Sequence, residues 1–244
     1  MNIRNNTILI TGGTSGLGLA LAKAFYNEGN TVIICGRRQD RLQAICQDHS
    51  GMLHYACNVL LQEDRVALIN WLQQNHPHCN VFINNAGIQL KFNLQQEINT
   101  LMVQEEIGTN VIAPIHLATA FAQHFGQNAN ATIINVTSGL SFVPLAMVPV
   151  YCATKAAMHS FTMSLRYQLK ASGIRVVELI PPQVDTELGY QDRPEPNTTH
   201  GGLSIADFIT EAMAGLAQGD DEVMVAQAKF LRAQGEAMFP KMNP

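Results

Sequence analysis

The sequence predicts a three-layer αβα sandwich: a doubly wound central sheet of about seven parallel strands with helices packed on both faces. Three observations predict it. Short runs rich in Val, Ile, Leu and Cys recur along the chain, and they are continuous rather than alternating, as strands covered on both faces require. Amphipathic helical patterns of roughly 10 to 20 residues separate these runs, the spacing of stacked βαβ units. Hydrophobic residues make up 47% of the chain, enough for two apolar layers, which excludes disorder by composition.

The elements follow in order. A first strand is expected at 7–11, then a glycine-rich turn and a helix over 17–28. Strand 31–35 precedes helix 39–48, and strand 53–57 precedes helix 61–75. Strand 81–84 leads to a long helical pattern over 97–125, and strand 132–137 to a helix over 151–172. The last strands are expected at 174–179 and 222–226, with helix 205–218 between them. The stretch 185–203, rich in Pro, Gly, Asn and Thr, is long for a connection inside a compact domain and reads as a functional lid. No linker, repeat or low-complexity tract interrupts the pattern, so residues 1–244 are expected to form one domain.

Charge narrows the function. The chain has 15 basic and 19 acidic residues, a net charge of −4, and only 14% charged residues against roughly 25% in an ordinary soluble domain. Amide side chains outnumber charged ones. With no basic stripe, a nucleic-acid partner is not expected. The apolar runs fall far short of the ~20 residues a membrane helix needs, and the N-terminus runs straight into the first strand, leaving no room for a signal peptide. Five cysteines without a C-x-x-C pair argue against a disulfide framework or zinc knuckle and for a reducing, cytoplasmic setting. His76-Pro77-His78-Cys79 has metal-binding residue types but no further spaced ligands, so no metal is expected.

The turn after the first strand reads Thr11-Gly12-Gly13-Thr14-Ser15-Gly16-Leu17-Gly18. Gly12, Gly16 and Gly18 suit a tight turn, close backbone approach to a phosphate and close helix packing, while the helix N-terminus offers free N–H groups to a pyrophosphate. Residues Thr14, Ser15 and Leu17 share that loop. Dinucleotide sites usually carry an acid at the end of the second strand for the ribose hydroxyls. Here that place holds Arg37 and Arg38, suited to a 2′-phosphate by bidentate bonding, so NADP(H) is favoured over NAD(H), with Arg37 the first choice for the contact.

Tyr151 and Lys155 stand four residues apart in a helical pattern and share one face. An ammonium beside a phenol favours the ionised form, which makes the pair a tunable proton donor. Strand 132–137 delivers Ser138 to the carboxyl edge of the sheet, where ligands sit in open α/β folds.

With these motifs in order, the chain resembles the short-chain dehydrogenases/reductases, Rossmann-type enzymes of the compact, roughly 250-residue kind. The resemblance spans essentially the whole chain and also rests on Asn84-Asn85-Ala86-Gly87 and Asn110. Within the family it is most similar to the DltE-type bacterial oxidoreductases, through Gly36-Arg37-Arg38-x-x-Arg41-Leu42, Pro181-Pro182-x-Val184-Asp185-Thr186 and the terminal Phe239-Pro240-x-Met242-Asn243. The resemblance implies that Tyr151 is the general acid/base and that Ser138 bonds the substrate oxygen. It implies that Lys155 binds the nicotinamide ribose and lowers the Tyr151 pKa, and that Asn110 supports a relay water. It places Asn85, Ala86, Gly87, Pro181, Val184 and Thr186 against the cofactor. A homodimer or homotetramer is implied as well.

Two departures stand out. Asn58-Val59 replaces the family's Asp-Val near the adenine, and Pro182 follows Pro181 where glycine is common. The expected reaction interconverts a carbonyl and an alcohol on a small neutral or apolar molecule, with Gln89, Leu140, Phe142, Met147, Gln183 and Leu188 as pocket candidates. The alternative is a sensor or scaffold that binds NADP(H) without turnover.

Overall fold

Strand β1 (Thr7–Thr11) turns Ile8 and Ile10 to one face of the sheet and Leu9 to the other, and all three are fully buried. In the computed structural model, which describes residues 1–126, 130–189 and 201–244, β1 is one of seven parallel strands. The others are β2 (Thr31–Gly36), β3 (Leu53–Ala56), β4 (Val81–Asn84), β5 (Thr132–Val136), β6 (Arg175–Ile180) and β7 (Glu222–Met224). Their order is β3-β2-β1-β4-β5-β6-β7. The direction of travel reverses between β1 and β4, which opens a crevice at the carboxyl ends of those strands.

Helices α1 (Gly16–Asn27), α2 (Gln39–Asp48) and α7 (Ile205–Gln218) cover one face through Leu21, Phe25, Leu42, Phe208 and Leu216. Helices α3 (Gln62–Asn75), α5 (Ala113–Phe125) and α6 (Pro149–Leu169) cover the other through Leu68, Leu72, Leu117, Phe121 and Leu165. The rings of Phe82 and Phe121 stack with centroids 4.0 Å apart. Full burial of side chains of this size stabilises the fold by about 1.5–3 kcal/mol each.

Several boundaries differ from the sequence pattern for local reasons. The 97–125 pattern begins as α4 (Thr100–Ile107), because the Asn99 side chain accepts from the Leu101 amide and caps the helix there. A π turn, Gly108–Ile112, then joins α4 to α5. Helix α6 starts at Pro149, whose fixed φ suits the first helical turn, and the chain leaves its terminal 3₁₀ turn through left-handed Gly173. After β7 come two helices the pattern did not suggest, α8 (Gln227–Gln234) and α9 (Phe239–Met242). Among the described residues no helix is long and apolar enough to cross a membrane. Of the expected lid, positions 190–200 lie outside the described residues. The flanking residues Val184 and Leu203 form a parallel bridge.

Candidate active site

The crevice is one continuous cleft of about 1480 Å³ along the carboxyl edge of the sheet. Its first wall is the glycine loop. Gly12 and Gly16 have φ of +68° and +52°, a conformation that favours glycine. At Gly18 a Cβ would lie 2.3 Å from the Gly12 carbonyl oxygen and 2.4 Å from Asn85 Nδ2, so no larger residue fits without displacing the loop. Thr11 stitches this loop to the end of β4. Its Oγ1 accepts from the Asn85 and Ala86 amides at 2.9 and 3.0 Å, and its carbonyl accepts from Asn85 Nδ2 at 2.9 Å.

Both arginines line the cleft, in different settings. The Arg38 guanidinium donates to Thr14 Oγ1 (2.9 Å) and Ser15 Oγ (3.0 Å), which places it on the glycine loop, and it faces Glu187 at 3.9 Å. Arg37 is more exposed and faces Glu105 at 3.9 Å. Thr14, Ser15, Leu17, Asn58, Val59, Ala86, Gly87, Pro181, Val184 and Thr186 all line the same cleft. The Asn58 carboxamide oxygen accepts from the Leu60 amide, turning the start of α3. Pro181 accepts from the Gly139 amide at 2.9 Å, joining β6 to the serine loop. The bridge to Leu203 uses the Gln183 carbonyl and the Asp185 amide, so the backbone groups of Val184 alternate to the other side.

Ser138, Tyr151 and Lys155 meet at the cleft floor, each at least nine-tenths buried. The Ser138 hydroxyl stands beside the Tyr151 phenol and accepts from the Leu140 amide at 3.1 Å. Lys155 Nζ donates to the Val136 carbonyl at 2.9 Å and lies 5.6 Å from the centroid of the Tyr151 ring. Burial pushes the Tyr151 phenol well above its ordinary value, and the neighbouring Ser138 hydroxyl acts against that. Burial also draws the Lys155 ammonium down to about 8, so one desolvating site drives the two proton affinities apart, against the expected lowering of the phenol by the lysine.

Asn110 stands behind this floor rather than on it. Its Oδ1 accepts from the Ile88 amide (2.9 Å) and its Nδ2 donates to the Ile88 carbonyl (2.8 Å) and to Thr154 Oγ1 (3.2 Å). One turn earlier on α4, buried Glu106 accepts from the Leu90 amide at 3.1 Å. The two side chains thus pin the loop after β4, which carries Gln89 into the cleft. Burial pushes the Glu106 carboxyl up to about 7.

Gln89, Leu140, Met147, Gln183 and Leu188 line the cleft as the sequence suggests, but Phe142 does not. Its ring turns away and packs between His159 and Arg232. Cys152 is buried beside Tyr151, its sulfur bonded to the Leu145 amide and carbonyl. Pattern reading missed Phe230 and Leu231 of α8 and Met242 of α9, which close the substrate side. They lie about 80 residues from the motifs in sequence, and no local spacing announces them. It also missed buried Glu178, for which a signal existed: a carboxylate inside the apolar run of β6.

Comparison with known proteins agrees with this fold. A family model described as short chain dehydrogenase matches residues 6–197. The Bacillus subtilis (strain 168) protein called uncharacterized oxidoreductase DltE is 41% identical, covering 100% of this chain and 98% of its own. A short-chain dehydrogenase from Sphingobium yanoikuyae in complex with NADPH superposes with a TM-score of 0.81 at 27% identity, over 90% of this chain and 87% of that one. A short-chain dehydrogenase/reductase from Burkholderia phymatum in complex with NAD has the same fold, with a TM-score of 0.81 at 19% identity, over 95% and 93% of the two chains. Fold, cleft and relatives agree: the chain belongs to the short-chain dehydrogenase family of oxidoreductases.

Proposed function

We propose that this protein is an NADP(H)-dependent oxidoreductase that interconverts a carbonyl and an alcohol on a small neutral or apolar molecule, residues 1–244 acting as one catalytic unit. The observation that carries the reading is the Ser138–Tyr151–Lys155 cluster on the floor of a cleft whose far wall is a glycine loop.

The cleft fits a nicotinamide dinucleotide. A Cβ at Gly12 or Gly18 would strike neighbouring backbone, so these positions keep the wall close. The N-terminus of α1 has no side-chain cap, which leaves N–H groups and the positive helix end for a pyrophosphate. Arg38 and Arg37 would hold a 2′-phosphate, since both present ion pairs are long and exposed and can be exchanged. Asn58 and Val59 would meet the adenine, Asn85, Ala86 and Gly87 the middle of the dinucleotide, and Pro181, Val184 and Thr186 its nicotinamide end. When bound, the cofactor supplies or accepts the hydride.

The chain's own residues manage the proton. In the reducing direction Tyr151 gives its phenolic proton to the carbonyl oxygen, and in the oxidising direction it takes the alcohol's proton. Ser138 donates its one hydroxyl proton to that same oxygen. Lys155 places its positive charge beside the phenol ring and would bind the nicotinamide ribose. Asn110 spends its carboxamide on the loop after β4, so support for a relay water falls to its backbone in the π turn. The substrate side, with Leu140, Met147, Leu188, Phe230 and Leu231, favours a neutral, apolar substituent. A homodimer or homotetramer through α4–α5 and α6 is part of this reading.

A panel of carbonyls and alcohols followed at the NADPH absorbance tests it. Turnover is expected, and Tyr151→Phe should lower it about 10²-fold or more with NADPH binding kept. Tight NADPH binding with no turnover across the panel would support the sensor instead.

A further inference from the structure

The β6 sequence Val176-Val177-Glu178-Leu179-Ile180 buries a carboxylate in the middle of an apolar strand, with no solvent exposure at all. Burying a charge is costly unless it is paired and hydrogen-bonded. Glu178 is both. Its Oε1 accepts from Thr137 Oγ1 at 2.7 Å, and its Oε2 pairs with His159 Nδ1 at 2.8 Å. Thr137 is the residue before Ser138, and His159 stands one turn beyond Lys155 on α6.

The pair reaches further than the strand. The His159 ring meets Phe142 edge-on with centroids 4.8 Å apart, and the other side of that contact is Arg232 of α8, 4.6 Å from the Phe142 centroid. Arg232 in turn faces Glu222 of β7 at 3.7 Å. One polar side-chain atom each of His159, Glu178 and Glu222 lies within 4.8 Å of the others. Helix α8 also seats on Gly139, next to Ser138: a Cβ there would lie 2.9 Å from the Leu231 side chain. This same helix presents Phe230 and Leu231 to the cleft.

Resting on the function proposed above, we infer that His159 and Glu178 are positioning residues that set the closure of the substrate compartment. The pair orients Phe142, Phe142 and Glu222 hold Arg232, and Arg232 fixes how closely α8 closes over a carbonyl at Ser138 and Tyr151. None of these groups touches the reacting atoms. Their effect is on fit, and it should be larger for a bulky carbonyl than for a compact one.

The test compares the unmodified protein with His159→Phe, His159→Asn and Glu178→Gln. The phenylalanine keeps a ring against Phe142 and loses the donor to Glu178, whereas asparagine keeps a donor and loses the ring. Amide hydrogen exchange at positions 227–234 and NADPH affinity are measured without substrate. KM and kcat are then measured for one compact and one bulky carbonyl from the panel. Both His159 variants should raise α8 exchange and the bulky carbonyl's KM about 5-fold or more, with kcat for the compact carbonyl and NADPH affinity within about 2-fold. Glu178→Gln, which can keep both hydrogen bonds, should stay close to the unmodified protein. Unchanged exchange and KM in both His159 variants would overturn the inference. So would a parallel loss of NADPH affinity, kcat and Tm, the mark of a structural pair. If the His159 variants do not fold, Arg232→Met cuts the same connection at its exposed end, and an unchanged α8 there is equally decisive against it. If no carbonyl is turned over, the proposed function fails while the exchange measurement still decides this point.

Discussion

Burial without an ion partner turns Glu106 from an ordinary carboxylate into an acid that titrates near pH 7. The sign of its effect on stability follows. The folded state holds the proton more tightly than the unfolded state, so this group's contribution is fully present below about pH 4.5 and is lost as pH rises through about 7. Glu106→Gln keeps an acceptor for the Leu90 amide and removes the titration. The difference in denaturation midpoint between this variant and the parent should therefore grow from pH 5 to pH 8, in favour of the variant; a constant difference would contradict the assignment. Arg38 is the other residue where setting decides chemistry. Hydrogen bonds to charged groups are worth about 1.5–3 kcal/mol, so Arg38→Ala should weaken NADPH binding about 10-fold or more, measured by fluorescence titration. NADH affinity should change little, and an equal loss for both would mean that Arg38 only braces Thr14 and Ser15. The arginines were legible because they follow a strand end at positions 37–41. Glu106 was not, because nothing local distinguishes a buried glutamate from an exposed one on a helix.

The elements carry the site by how they end. Helix α1 begins where the glycine loop touches Asn85, and Gly18 is the contact point. Gly18→Ala places a methyl against the Gly12 carbonyl and the Asn85 amide, so it should abolish measurable NADPH binding and lower the Tm. A variant binding NADPH as well as the parent would show that the loop relaxes freely. Most elements were readable from apolar periodicity, since strands and helices buried on this sheet must repeat it. The π turn at Gly108–Ile112 was not readable, because it interrupts one helical pattern without a composition change. Helix α8 escaped for the opposite reason: its sequence Gln227-Ala228-Lys229-Phe230-Leu231-Arg232 is short, and its apolar residues face a distant partner, Gly139.

Across the molecule, the scarcity of charge has a counterpart inside. Asn6, Asn30, Asn84, Asn110 and Asn135 are buried and hydrogen-bonded, so part of the amide-rich composition joins elements in the interior. Asn84 Nδ2 donates to Asn135 Oδ1, and Asn135 Nδ2 to Thr162 Oγ1, which ties β4 to β5 and β5 to α6. The outer faces of α4–α5 and α6 expose Leu101, Ile112, Met163 and Tyr167, the last with 83% of its surface open. In the proposed oligomer this face is covered. Sedimentation velocity should then give a dimer or tetramer that Met163→Glu and Tyr167→Glu shift towards monomer; a monomeric parent protein would remove the oligomer from the proposal.

Legible in the sequence alone were the layer architecture, the glycine loop, the paired arginines and the serine, tyrosine and lysine of the candidate site. Each depends on spacing along the chain: a strand's apolar run, a helix's four-residue repeat, a turn that only glycine can make. The tertiary structure decided what distance along the chain conceals. It turned Phe142 away from the cleft, put Asn110 behind its floor, brought α8 over Gly139 and left Glu178 in an apolar strand beside His159. Burial and long-range packing are properties of the assembled sheet, and no local pattern contains them.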